Sequence, residues 1–376
     1  MYEAYSLSGN PFEIAPVKYG MAGRQTEWAS IKNRLKAAFD GTTCKFLILQ
    51  GDYGLGKTFT ADKLYTDIHA NRNELRTIVV RTLAGQPIQA HPAEPSRGKF
   101  AVDFIARIFE NLRFDQIREL CEKVNLDSKV PEVSLRARLI FKEISKGNRS
   151  AFLALIGQSV NEEGEKLSIR PVRESEEAKS IFFAFLRIMK MAAYDNLLII
   201  LDEFEYVMTL STSRITVILQ TLREIFDEYS RQPLNLAKVV IFFTTSPGGW
   251  DKLRQLEVSQ VKRTGGAGIV PFRQRVDPRD VISLSPLTSG ETEELIRIRL
   301  EAYRTVKVKD GLQPFTKEAI EIIFRASQGV PRLALVYASI ILDYATERRI
   351  RSISAKDALD PLVKLNLYAP PAETKA

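Results

Sequence analysis

Residues 51–58 read Gly51-Asp52-Tyr53-Gly54-Leu55-Gly56-Lys57-Thr58, a complete G-x-x-x-x-G-K-[ST] phosphate-binding loop. Immediately upstream, Phe46-Leu47-Ile48-Leu49 is the apolar run that a buried parallel strand supplies. Gly51, Gly54 and Gly56 let the backbone curl so that successive N–H groups converge on phosphate oxygens, while Lys57 reaches the β and γ oxygens and the Thr58 hydroxyl ligates Mg2+. The helix that opens after Thr58 adds its N-terminal dipole to the same anion site. Strand, loop and helix in this order predict an α/β protein that binds a nucleoside triphosphate.

A second strand signal, NLLIILDEFE at 196–205, is an unbroken apolar run with acids at its carboxyl end. In open α/β sheets ligands sit beyond the carboxyl ends of the strands. Asp202 is therefore expected to hold Mg2+ through water, and Glu203 to orient and activate the attacking water. Adjacent strand residues point to opposite faces, so these two roles require the chain to leave strand conformation at that point. Glu205 is expected at the N-cap or in the first turn of the following helix. The strand KVVIFFTTS at 238–246 ends in hydroxyls. Thr245 is the candidate to hydrogen-bond the γ-phosphate or the catalytic water, with Thr244 and Ser246 as register alternatives.

The remaining elements are read from periodicity. The opening residues 10–24 predict an extended strap over the nucleotide, then a helix carrying Trp28, Ile31, Leu35 and Phe39. A strand follows at 76–81 and a turn-rich loop at 82–99. From Phe100 to Tyr194 the pattern is helical, with stripes at Phe104/Ile105/Ile108/Phe109/Leu112, Leu135/Leu139/Ile140, Phe152/Leu153/Ile156 and Ile181/Phe182/Phe185/Leu186/Ile188/Met189. These are read as packing faces, separated by surface loops such as 161–166. After a helix at about 215–229 come a basic Gly-rich loop at 261–275 and a fifth strand at 280–285. Thr288 with Glu291 forms a capping box that starts a purely helical tail.

Composition bounds the function classes. With 376 residues, 45% of them hydrophobic, the chain can build a sizeable core, and no apolar run reaches bilayer length. Its start lacks a signal peptide, so a cytoplasmic location and no membrane partner are expected. Two cysteines, Cys44 and Cys121, and two histidines, His69 and His91, have no metal or disulfide spacing. The formal charge of +8 favours a polyanionic partner, with Lys262, Arg263, Arg273, Arg275 and Arg279 in or beside the Gly-rich stretch and Arg348, Arg349 and Arg351 further on.

Together, residues 51–58, LLIILDE at 197–203, the polar strand end at 244–246 and Gly329-Val330-Pro331-Arg332 opening a helix resemble AAA+ ATPases. The likeness is to the branch with replication-initiator and transposition-regulator ATPases. It implies an α/β P-loop core at 1–285 with a five-stranded parallel sheet, and an all-helical lid at 286–370. ATP specificity, Mg2+ and hydrolysis are likewise implied. The resemblance makes Arg332 the lid sensor that reaches the γ-phosphate. It makes Arg275, or failing that Arg273, the arginine finger donated to a neighbouring subunit, with Arg263 and Arg279 as looser fits. Between Lys57 and Asp202 lie about 145 residues, far more than a βαβ crossover needs, so a mostly helical insertion is expected within about 82–194. A similar insertion is found in ATP-binding proteins of phage-defence systems. After the lid there is no room for a winged-helix domain, so DNA contacts are expected from the core, the insertion or an assembled ring.

Two function classes follow from this reading. One is an ATPase that forms a homo-oligomer on double-stranded DNA and loads, remodels or licenses a protein partner. The other is a nucleotide-switched scaffold whose helical insertion docks proteins, with its positive charge incidental.

Overall fold

The structure is a computed structural model that describes residues 2–13, 20–83, 100–126, 133–160, 164, 167–231, 235–264 and 272–369. By its internal contacts the chain divides into two compact units. Residues 31–50 and 63–282 form one, and residues 1–30, 51–62 and 283–376 form the other. The contacts group residues 1–30 and 51–62 with the helical tail.

The first of these units is a parallel sheet covered by helices. Its strands are β1 (Lys45–Gln50), β2 (Thr77–Leu83), β3 (Asn196–Asp202), β4 (Lys238–Thr245) and β5 (Val281–Ser283), in the order β2-β3-β4-β1-β5. Every residue of β3 is buried, and β4 is buried from Val239 on, as a sheet covered on both faces requires. Register sets Gln50 opposite Thr245 and Leu201 opposite Phe243, so the carboxyl ends of β1, β4 and β3 share one edge of the sheet. Phe46 locks β1 into place, its ring 4.8 Å from that of Phe272 and stacked on that of Phe226 at 5.4 Å.

Helices α1 (Gln25–Asp40) and α2 (Lys57–Ala70) each cross the division between the units. The expected insertion is helical, comprising α3 (Phe100–Glu122), α4 (Leu135–Ser145), α5 (Arg149–Leu155) and α6 (Ser175–Met191). It is no separate domain, because its buried side chains join those of β1, β3 and β4 in one hydrophobic core. The α3 and α6 stripes are buried throughout. The α4 stripe needs correcting. Leu135 and Leu139 are 63% and 53% exposed, and the inward face is Ala137, Ile140, Phe141 and Ile144.

Helices α7 (Thr212–Arg231) and α8 (Pro247–Thr264) complete this unit. Residues 261–264, expected in a loop, are the last turn of α8, and Phe272–Arg275 is a 3-10 helix. Most of the basic Gly-rich stretch (265–271), the loop at 84–99, most of 161–166 and strap residues 14–19 lie outside the described residues.

The second unit packs α9 (Ser289–Tyr303), α10 (Lys317–Ser327), α11 (Pro331–Glu347) and α12 (Ala355–Lys364) around a core of its own. Thr288 and Glu291 form the expected capping box on α9. The residues ahead of the expected strap, and its first described residues, are built into this core. Leu7 and Phe12 are buried, the Tyr5 hydroxyl donates to the Ile350 carbonyl at 2.6 Å, and Asn10 donates to Ser339 at 2.8 Å.

Candidate nucleotide site

Residues 51–58 belong to the helical-tail unit. Gly54 and Gly56 adopt φ of +85° and +94°, the left-handed region in which side chains are strained. A Cβ on Gly56 would meet no atom within 4 Å, so the cradle above it is open. Lys57 is buried and its ammonium donates to the loop's own carbonyls, Gly51 at 2.8 Å and Asp52 at 3.3 Å. Thr58 is exposed in the first turn of α2, whose leading N–H groups have no partner within the helix. A helix start with unpartnered N–H groups, an open cradle at Gly56 and a buried lysine fit a polyphosphate.

Two arginines hold this loop: Arg332, singled out in the sequence as a γ-phosphate sensor, and Arg24, which the sequence did not single out. Arg24 is buried beneath it, donating to the Leu55 carbonyl at 3.2 Å and pairing with Glu27 at 3.0 Å. Arg332 approaches from α11. Its backbone N–H donates to the Gly54 carbonyl at 3.3 Å, supplying the acceptor that this helix lacks from any N-cap side chain. Its guanidinium lies 4.9 Å from the Tyr53 ring centre and donates to the Tyr53 hydroxyl at 2.5 Å. Gly329 fixes the approach. Its φ is +72°, its carbonyl accepts from the Leu287 N–H at 2.7 Å, and a Cβ there would fall 2.1 Å from the Leu287 carbonyl oxygen.

In the sheet unit, the acids stand at the carboxyl end of β3. Asp202 is 1% exposed, and both its oxygens are engaged. One accepts from the Thr244 hydroxyl and from the Glu203 N–H at 3.0 Å. The other accepts from Arg81 of β2 at 2.7 Å. Glu203 takes φ 56° and ψ 41°, so the chain does leave strand conformation between the two acids. Glu205 lies in the first turn of the 3-10 helix Phe204–Thr209. The three hydroxyls separate by partner. Thr244 binds Asp202, Thr245 donates to the Ser246 carbonyl at 3.3 Å, and the Ser246 hydroxyl accepts from the Gly249 N–H at 3.1 Å. Thr245 remains the hydroxyl in register with the end of β1.

The finger candidates are engaged within the sheet unit. Arg275 forms a two-pronged pair with Asp227 of α7, at 3.0 and 2.9 Å, with its side chain 15% exposed. Arg273 lies 5.3 Å from the Trp250 ring, and its backbone N–H donates to Glu257, whose carboxyl is pushed up by burial. Arg279 is exposed and closed onto Asp277, and the Arg263 side chain lies outside the described part. Among the described residues no group of three or more His, Cys, Asp or Glu side chains can hold a metal ion. None of the described helices is long and apolar enough to cross a membrane.

No family model matches the chain. It is 23% identical over 368 residues to an uncharacterized HTH-type transcriptional regulator of Methanocaldococcus jannaschii, a match that covers 96% of this chain and 73% of the relative. The Aeropyrum pernix ORC2 protein in its ADPNP–ADP complexes superposes with a TM-score of 0.55 at 12% identity, over 97% of this chain and 73% of that one. Its ADP form gives 0.51 at 14% identity, over 96% and 73%. These superpositions run over nearly the whole chain, and with the five-stranded parallel sheet they show that the chain has the α/β P-loop AAA+ fold.

Proposed function

We propose that this chain binds and hydrolyses ATP, assembles with copies of itself on duplex DNA, and there loads, remodels or licenses a protein partner. The observation that carries the ATP reading is the loop at 51–58, with its two left-handed glycines, open cradle and buried lysine. In this reading Lys57 contacts the β and γ oxygens, and Glu203 orients the attacking water. Thr245 hydrogen-bonds that water or the γ-phosphate, and Arg332 reads the γ-phosphate. Thr58 and Asp202 hold Mg2+, which when bound neutralises charge on the phosphate oxygens. Arg275 acts in trans only if it exchanges Asp227 for a neighbour's nucleotide. The net charge of +8 and the relative named as a transcriptional regulator support a nucleic-acid role.

A second reading is favoured by one feature. Leu135 and Leu139 stand exposed one turn apart on α4, as a protein-docking face would have them. Steady-state ATP hydrolysis against protein concentration, with and without duplex DNA at two salt concentrations, separates the two. A rate that climbs with concentration and is stimulated by DNA at low salt supports assembly on DNA. Hydrolysis indifferent to DNA supports the scaffold. Lys57→Ala is expected to abolish nucleotide binding, and Glu203→Gln to bind ATP without turning it over. Normal turnover by Glu203→Gln would overturn the catalytic assignment.

A further inference from the structure

We propose that Tyr53 parks the guanidinium of Arg332 on the phosphate loop, and that a bound triphosphate must draw it away. Tyr53 is thus a positioning residue that sets the discrimination between ATP and ADP. The inference deepens the reading of residues 51–58 as an ATP site and rests on it.

Three observations within the helical-tail unit carry the argument. The N–H of Arg332 is anchored to the Gly54 carbonyl, so the arginine's backbone is tied to the loop whatever its side chain does. The anchorage is close, because a Cβ on Gly54 would lie 2.9 Å from Val330 and 3.2 Å from Arg332. The side chain then has a choice of partner on one loop. It takes the Tyr53 ring and hydroxyl. Tyr53 is 76% exposed, an aromatic side chain that contributes nothing to either core. A cation over an aromatic face and bonded to its hydroxyl is held electrostatically, and a γ-phosphate competes for the same donors with a full charge. ADP has no γ-phosphate to offer, so the parked state costs ATP affinity and leaves ADP affinity unchanged.

The consequence can be measured. When the competent state is a minor fraction, the apparent dissociation constant is the intrinsic one divided by that fraction. A parked state favoured several-fold therefore predicts that Tyr53→Ala tightens binding of a non-hydrolysable ATP analogue about 3- to 10-fold, with ADP affinity unchanged. Tyr53→Phe keeps the ring and loses the hydroxyl acceptor, so its gain is smaller. In an Arg332→Ala background the effect of Tyr53→Ala disappears, which a purely structural role would not produce. The experiment is calorimetric titration of the full chain and these variants with the analogue and with ADP, both with Mg2+. An equal change for both nucleotides, no change, weaker analogue binding, or a gain that survives Arg332→Ala overturns the proposal and leaves the ATP reading standing. A wild-type chain that binds neither nucleotide overturns both.

Discussion

Replacing Arg81 with methionine tests whether the acid at the end of β3 depends on a cation supplied by β2. Asp202 is 1% exposed and Arg81 27%, with 2.7 Å between them. A hydrogen bond to a charged group contributes about 1.5–3 kcal/mol, breaking a fully buried pair costs about 3–5, and an exposed pair is worth about 0–1. Thr244 and the Glu203 N–H continue to serve the other oxygen, and Arg81 is partly solvated. The expected cost therefore lies near the lower end, about 2 kcal/mol, or roughly 30-fold in the folding equilibrium. The two tryptophans, Trp28 and Trp250, fall in different units. Urea unfolding followed by Trp250 fluorescence in a Trp28→Phe background therefore reports the sheet unit. Arg81→Met should lower the midpoint at unchanged slope, and in an Asp202→Asn background its cost should fall below about 1 kcal/mol. A loss below about 0.5 kcal/mol, or equal losses in both backgrounds, would refute the account of Arg81 as the counter-ion of Asp202.

Gly329→Ala should destabilise the helical-tail unit by at least about 2 kcal/mol, combining the left-handed penalty with collision against the Leu287 carbonyl, and Trp28 fluorescence in a Trp250→Phe background checks it. Asp227→Ala should release Arg275. If Arg275 is the trans-acting finger, hydrolysis by that variant rises more steeply with protein concentration than wild type, and Arg275→Ala removes the dependence. Burial pushes the Cys44 and Cys121 thiols up to about 12, so Ellman's reagent at pH 8 should label neither until urea unfolds the chain. The linkage has a definite sign. Thiols that hold their protons more tightly when folded give full stability below the unfolded value near 8.5 and lose it as pH rises towards 12. The double replacement of both cysteines with alanine should flatten the alkaline fall in midpoint.

What could be read from the sequence is what short, local rules govern. The phosphate loop, the buried acidic strand and the capping box at Thr288 are each written in fewer than a dozen consecutive residues, and each is found where expected. The need for the chain to turn between Asp202 and Glu203 was also legible, because two adjacent acids cannot share a face. What was hidden depends on partners distant in sequence. Arg81 and Asp202 are 121 positions apart, Tyr53 and Arg332 279, and Arg275 and Asp227 48. The α4 stripe failed for another reason. In an 11-residue helix, Leu135 and Leu139 repeat as regularly as Ile140 and Ile144, and only the three-dimensional neighbours decide which face turns inward. Arg24 gave no motif at all, since its partner on the loop is a backbone carbonyl.

The hydrogen bond from the Arg332 N–H to the Gly54 carbonyl joins the root of helix α11 directly to the phosphate loop. Helix α11 has 17 residues, a length of about 25 Å at 1.5 Å per residue. A tilt of about 10° at its root would carry the far end through about 4 Å. At that end stand Arg348, Arg349 and Arg351, exposed, with the Arg348 guanidinium 4.3 Å from the Tyr344 ring. Because Ala334, Ala338, Ile341, Leu342 and Ala345 of α11 are fully buried against α9, α10 and α12, any such tilt would have to carry the whole helical core, and its cluster of positive charge, with it.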